Sequence, residues 1–348
     1  MELGFRKGIF LEQNKEPGLS REIKQLDDLE IPVVKTKTEV SQSPDMLAPH
    51  EIIMVAKEAR IIDESDGQRL WKKLAFAARN GVLTIIADAL DDEPYISSQL
   101  APALQHPEEL SEGLALAKRA VGASKIMVEV YRNLFDINTR IPRKINGIKV
   151  DRISGRYPAE GNYSHRKRDD VVVIGACALL FLRRAVYEGL CQTSTFITVS
   201  GDCVANPGNY EVPLGCTVEQ VLSSVGLIYD PHRIVAGGAM TGFGITDPEN
   251  VFISATTRGV LAFAEEFKDI GHSCIGCGRC TENCPVGLSP YFIYSTMQTK
   301  QKKYLDISDA HLCTGCGTCS YVCPSKIDLA QVMTKAASLS QRLQGGSQ

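Results

Sequence analysis

Two cysteine runs of identical spacing constrain this chain more than any other feature. The first is Cys274-x-x-Cys277-x-x-Cys280-x-x-x-Cys284-Pro285, and the second is Cys313-x-x-Cys316-x-x-Cys319-x-x-x-Cys323-Pro324. Both match the C-x2-C-x2-C-x3-C-P pattern that holds a [4Fe–4S] cube. Three cysteines so spaced on a tight loop reach three irons of one cube, and the fourth crosses to the other. The expected sets are therefore Cys274, Cys277, Cys280 and Cys323 for one cluster, and Cys313, Cys316, Cys319 and Cys284 for the second. Gly276, Gly278, Gly315 and Gly317 stand where the loops must fold tightly over sulfide and where a side chain would crowd the cluster. Each proline after the fourth cysteine suits the first turn of a following helix. Structural zinc and disulfides are the lesser alternatives. Zinc sites use pairs of cysteines across a longer gap, and disulfides need an oxidising compartment that nothing in the chain suggests. The pattern points to one-electron transfer through a two-cluster relay.

Far more chain surrounds these runs than two cubes need. A length of 348 residues implies two or three domains. With 44 % hydrophobic and 23 % charged residues, sizeable cores can form. A formal net charge of -3 argues against a nucleic-acid binder, which would show a basic balance. The start, Met1 to Arg6, lacks the apolar core of a signal peptide. The longest apolar stretch, Val171 to Leu182, is shorter than the roughly 18 residues a span requires and runs into Arg183 and Arg184. The expectation is a cytoplasmic protein that reaches a membrane, if at all, through its partner proteins. Cys177, Cys191, Cys203 and Cys216 are scattered among apolar neighbours and are expected as buried free thiols.

The organisation along the chain falls into four parts. Residues 1–50, with Pro17, Pro32, Pro44 and Pro49, read as an extended arm with a short strand at Ile31–Val34. Residues 51–190 alternate helices (50–59, 67–80, 107–121, 178–187) with strands (83–87, 125–131, 171–176), which implies a parallel, Rossmann-like sheet. Ligands of such sheets lie beyond the carboxyl ends of the strands, and the acidic stretch Asp88 to Tyr95 follows the first strand there. Residues 191–257 read as a hairpin (195–199 and 210–213), a helix (217–225) with Thr217 as N-cap and Gln220 three residues on, and a strand (233–236). That order fits a small β-grasp module. The glycine-rich loop Gly237 to Gly244 after it suits either a tight inter-domain joint or a phosphate or flavin contact. Residues 258–342 complete a helical two-cluster ferredoxin, with helices at 290–301 and 328–341. Lys300, Lys302 and Lys303 read as a solvated helix end, with an electrostatic docking surface as the alternative.

These modules in this order carry a family resemblance. Glu93-Pro94-Tyr95, the stretch from Gly201 to Gly215, the Gly237 to Gly242 loop and the paired cluster runs resemble the RnfC family. Its members are the C subunits of ion-translocating ferredoxin:NAD oxidoreductase complexes and soluble relatives. Those relatives include the cobalamin reductase of propanediol utilisation and the electron-transfer protein serving proline reductase. The likeness covers roughly residues 60–335. It implies a flavin- and NADH-binding domain like that of the 51-kDa subunit of respiratory complex I, a soluble-ligand-binding β-grasp (SLBB) domain, and two clusters as the electron exit. On that likeness FMN would lie near Asp91, Glu93 and Lys73.

The chain departs from the family in two places. Its first fifty residues show neither the Gly-x-His-Pro opening nor the lipoyl-like hairpin with which the family begins. Where the family carries a Gly-Gly-Ala-Gly-Phe-Pro-Thr loop, this chain reads Glu64-Ser65-Asp66-Gly67-Gln68-Arg69-Leu70, with one glycine. Backbone does not approach a phosphate closely through the side chains of Gln68, Arg69 and Leu70. The expectation is an electron-transfer protein passing single electrons between a flavoprotein or ferredoxin donor and a partner reductase or Rnf-type membrane complex. One alternative is a complete NADH-oxidising, FMN-containing oxidoreductase of the RnfC kind. Another is a non-enzymatic adaptor whose clusters only brace the C-terminal helices.

Overall fold

The computed structural model describes residues 22–37, 44–132, 141–155, 157–159, 168–265, 271–299, 304 and 309–345. The described residues divide into two compact units. One takes in the chain up to Ser154 and again from 168 to Glu265, and the other takes in residues 155–159 and everything from 271 onward.

The first unit contains two sheets. A short strand of the arm, β1 (Ile23–Gln25), belongs to the second of them. Helices α1 (Pro49–Glu58) and α2 (Leu70–Arg79) precede β2 (Thr84–Ala89). Then come α3 (Leu100–Gln105), α4 (Pro107–Val121), β3 (Lys125–Tyr131), β4 (Lys144–Ile145), β5 (Ile148–Ile153), β6 (Val171–Gly175) and α5 (Ala176–Glu188). The five strands run in the order β4-β5-β3-β2-β6, parallel except for the β4–β5 hairpin. β2 is buried at every position after Thr84, with Ile85, Ile86, Ala87 and Ala89 apolar, as suits a strand covered on both faces. α4 places Leu110, Leu114 and Ala117 on one buried stripe and ends at Gly122, whose φ of 77° is the left-handed C-cap conformation. α4 and α5 pack so tightly that a Cβ built on Gly113 would lie 2.2 Å from the Leu179 carbonyl oxygen.

The second sheet follows with β7 (Ser194–Ser200), β8 (Gly208–Pro213), helix α6 (Val218–Val225), β9 (Arg233–Ala236), β10 (Phe243–Ile245) and β11 (Gly259–Phe263). Its order is β1-β8-β7-β11-β9-β10. α6 lays Val218, Val221, Leu222 and Val225 against Ile197, Val199, Val212 and Val260 of the strands, a β-grasp core. The capping box expected at Thr217 is formed. Gln220 N donates to Thr217 Oγ1 at 3.1 Å, and Thr217 N donates to Gln220 Oε1 at 2.8 Å. The sheet extends past residue 257, because β11 pairs with both β7 and β9.

Expected and observed elements differ at the edges. The strand expected at Ile31–Val34 is irregular chain, with Val33 77 % exposed. β-branched residues without a neighbouring strand do not make one. The arm's strand is Ile23–Gln25 instead, paired in parallel with β8. β4, β10 and β11 carry too little alternation to be read from sequence, and each exists through its partners; β5 does alternate, from Ile148 to Asp151, and pairs with β3 and β4.

The second unit is helical: α7 (Arg279–Glu282), α8 (Pro290–Gln298), α9 (Thr318–Tyr321) and α10 (Leu329–Gly345). Leu288, Ile293, Ala310, Met333 and Ala336 form its core. Ser289 stands at the N-cap of α8, but its hydroxyl lies 3.3 Å from that of Thr281 rather than capping the helix. Lys300, Lys302 and Lys303 lie outside the described residues. No described helix is long and apolar enough to cross a membrane.

Candidate iron–sulfur centres and the cofactor crevice

The two cysteine runs fold alike. In each, the two glycines that flank the second cysteine adopt positive φ: 66° and 76° at Gly276 and Gly278, 71° and 74° at Gly315 and Gly317. The left-handed turns, which only glycine adopts freely, demand glycine here. At Gly276, Gly278 and Gly315 an added Cβ would meet nothing within 4 Å. The four-residue helices α7 and α9 start directly after Gly278 and Gly317 and carry the third cysteine of each run.

These loops bring the cysteines into two groups. One pocket is lined by Cys274, Cys277, Cys280 and Cys323, with Tyr291 and Tyr294 beside them. A second is lined by Cys284, Cys313, Cys316 and Cys319, with Val286 and Met333. Each group has three thiols from one run and the fourth from the other. The crossing follows from the chain path, since each fourth cysteine lies beyond its short helix and is carried toward the opposite loop.

The environment of the sulfurs differs between the groups. Cys274 and Cys277 are exposed, with Ile275 70 % exposed between them, whereas Cys280 and Cys323 are buried. Cys284, Cys313, Cys316 and Cys319 are all half-buried. Backbone N–H groups donate to sulfur in both: Gly276 to Cys274 at 3.5 Å, Gly315 to Cys313 at 3.4 Å and Leu288 to Cys284 at 3.3 Å. Burial pushes the Cys319 thiol up to about 12, with Cys316 and Cys313 adding to the shift, and it raises Cys313 as well. Clustered thiolates at such a place require positive charge among them, which iron supplies. Tyr157 also belongs to this unit, and its hydroxyl donates to the Cys316 carbonyl at 2.9 Å. Nothing in the sequence near Tyr157 signals this contact, because the two residues are 159 positions apart.

The flavin residues that the resemblance suggested lie in the first unit, and each is already engaged. Lys73 Nζ sits 2.6 Å from Asp63 Oδ2 and 2.7 Å from Asp66 Oδ2. Burial works against the Lys73 charge, but Asp63 and Asp66 outweigh it and hold the ammonium above its ordinary range. Asp91 Oδ1 is 2.7 Å from Arg258 Nη2, and its Oδ2 accepts from Gln99 N and Leu100 N at 3.0 and 2.7 Å. The buried Glu93 accepts from Met240 N at 2.9 Å and Thr241 N at 3.2 Å, and from the Thr241 hydroxyl. The glycine-rich loop is thus closed on Glu93, at the carboxyl end of the parallel sheet. The sequence suggested Asp91, Glu93 and Lys73 but gave no sign of their partners Arg258 and Asp63. A half-buried Arg and a buried Asp leave no periodic signal.

Cys177, Cys203 and Cys216 are buried and Cys191 is half-buried, all as free thiols. Burial raises all four, to about 11 for Cys216, so none carries thiolate character at neutral pH.

Fold and site together define a class: an iron–sulfur protein built on a Rossmann-like domain, a β-grasp domain and a helical dicluster module. A 4Fe-4S dicluster domain matches residues 273–327, and an SLBB domain matches residues 196–244. Two [4Fe–4S] clusters are the cofactors of this class. The chain is similar to C subunits of ion-translocating oxidoreductase complexes. It is 27 % identical over 271 residues to the C subunit of the ion-translocating oxidoreductase complex of Rhodobacter capsulatus, covering 71 % of this chain and 52 % of that protein. It is 25 % identical over 242 residues to the C subunit of the Na(+)-translocating ferredoxin:NAD(+) oxidoreductase complex of Acetobacterium woodii, covering 63 % of this chain and 54 % of that one. The chain therefore spans about half the length of these curated relatives. Among solved structures, an NAD+-reducing [NiFe]-hydrogenase in the air-oxidized state is similar in fold. Its TM-score is 0.54 at 15 % identity, covering 84 % of this chain and 63 % of that one.

Proposed function

We propose that this chain relays single electrons through two [4Fe–4S] clusters between a flavoprotein or ferredoxin donor and a partner reductase or an Rnf-type membrane complex. The observation that carries this reading is the sorting of eight thiols into two sets, each with three cysteines from one run and one from the other. Cys274, Cys277, Cys280 and Cys323 hold the first cluster, and Cys313, Cys316, Cys319 and Cys284 hold the second. The bound cubes supply reversible one-electron chemistry. The protein's part is to supply thiolates, to aim N–H groups at sulfur, and to exclude water with Tyr294, Leu329, Val286 and Met333. Hydrogen bonds to the sulfurs and solvent exposure tune such potentials. The first set, with Cys274 and Cys277 at the surface, is the side on which a redox partner makes contact. A protein of this kind resides in the cytoplasm and meets a membrane through its partners.

The test is anaerobic. Iron content and the visible spectrum of the purified protein are measured before and after dithionite, then after a reduced ferredoxin or flavoprotein. About eight irons (two cubes of four), bleached reversibly by both kinds of reductant, are expected. Clusters that resist reversible reduction, with the chain unfolding on their removal, would refute the relay and make them structural braces.

A further inference from the structure

The parallel sheet of the first unit has a place for a phosphate. Helix α5 begins at the carboxyl end of β6, and a helix N-terminus at that edge presents free N–H groups to an anion. Here the N–H groups are taken. Cys177 N donates to Glu64 Oε1 at 2.8 Å and Ala178 N donates to Glu64 Oε2 at 2.9 Å. Gly175 N, just before the helix, donates to Asp63 Oδ1 at 3.0 Å. The space is filled too: a Cβ built on Gly175 would lie 2.2 Å from Glu64 Oε1 and 2.3 Å from Glu64 Cδ. Glu64 is 8 % exposed and Asp63 is fully buried. Lys73, the cation that would meet a phosphate, is spent on Asp63 and Asp66.

The second bare stretch of backbone at this edge shows the same arrangement. A Cβ on Gly238 would lie 1.8 Å from Glu93 Oε2, and the loop's N–H groups at Met240 and Thr241 also go to Glu93. At both places where glycine lets a ligand approach, a carboxyl group of the chain has already done so.

We infer that the Rossmann-like domain is closed to FMN: the Glu64 carboxyl fills the phosphate seat at the start of α5, and Asp63 and Glu93 occupy the neighbouring backbone donors. FMN does not fit the residues present. A phosphate would have to displace buried carboxyl groups that already fill the space beside Gly175 and hold its backbone donors, in a site with little water. The domain therefore serves this chain as a scaffold, and electrons reach the clusters from outside it.

The experiment uses the intact, cluster-loaded protein and FMN as probe. Wild-type protein in large excess is expected to leave FMN fluorescence and its anisotropy unchanged. Stoichiometric FMN binding by the wild type would overturn the inference. Glu64→Gly, which removes the plug, is expected to lower FMN fluorescence and raise its anisotropy, and to do neither with riboflavin, which has no phosphate. No gain in a folded Glu64→Gly protein would show that Glu64 is not what closes the seat, and would also overturn it. Glu64→Gln keeps the shape of the plug and is expected to stay closed; FMN binding by this variant would refute closure by volume. Iron content and dithionite bleaching of the same samples report on the relay separately, so either idea can fail alone.

Discussion

The crossing of the fourth cysteines can be tested by pairs of substitutions, because the two possible connectivities give opposite patterns. In the structure Cys323 joins Cys274, Cys277 and Cys280, and Cys284 joins Cys313, Cys316 and Cys319. Cys277→Ser together with Cys323→Ser therefore strikes one cluster twice and leaves the other with four thiolates. About four of about eight irons should remain, as in either single variant. Cys277→Ser together with Cys284→Ser strikes both clusters, and iron should fall toward zero. If each fourth cysteine closed on its own run, the outcomes would exchange: the first pair would lose both clusters and the second would keep one. Iron and acid-labile sulfide per chain, with the dithionite-reduced EPR signal of each variant, decide the matter. Retention of a cluster by the Cys277→Ser, Cys284→Ser protein would refute the assignment. Substitutions at distant sites usually add, so the failure to add in the first pair is the informative reading.

Three further outcomes follow from the first unit. Gly113→Ala should lose about 1–3 kcal/mol in urea denaturation despite alanine's better helix propensity, because its Cβ meets the Leu179 carbonyl of the facing helix; an unchanged midpoint would mean the α4–α5 contact is not tight. Lys73→Met should cost about 3–5 kcal/mol, since it leaves the fully buried Asp63 without its cation; a loss under about 1 kcal/mol, the range of exposed pairs, would mean that water reaches Asp63. Burial, with Asp63 adding, raises Glu64 from 4.5 to about 8, against the backbone N–H groups that favour its charged form. Its folded value lies above its unfolded one, so its contribution is fully present below pH 4.5 and is lost as pH rises to about 8. Denaturation midpoints of the wild type should therefore fall relative to Glu64→Gln across that window; parallel profiles would show that Glu64 does not titrate there.

Much of the fold was legible because it rests on periodicity and local chemistry. α4 and β3 lie where their apolar spacing places them, and the Thr217–Gln220 capping box forms from residues three apart. The alike folding of the two cysteine runs was also legible, since their loops are set by spacing and by glycines at positive φ. Elements held by distant partners were not. β11 exists between β7 and β9, and β1 exists beside β8, through pairings that no local pattern announces.

The same division runs through the chemistry. Two iron–sulfur clusters are written into the order of the residues, because thiol count and spacing dictate the number and kind of cluster. The missing glycines of the 64–70 loop are equally plain there. What stands in their place emerges only once the chain has folded. Glu64 meets the start of α5 across 113 positions, and Glu93 meets the glycine-rich loop across 147. A carboxyl group on an exposed loop and one seated on backbone donors read alike in a sequence, and packing alone brings the donors to it.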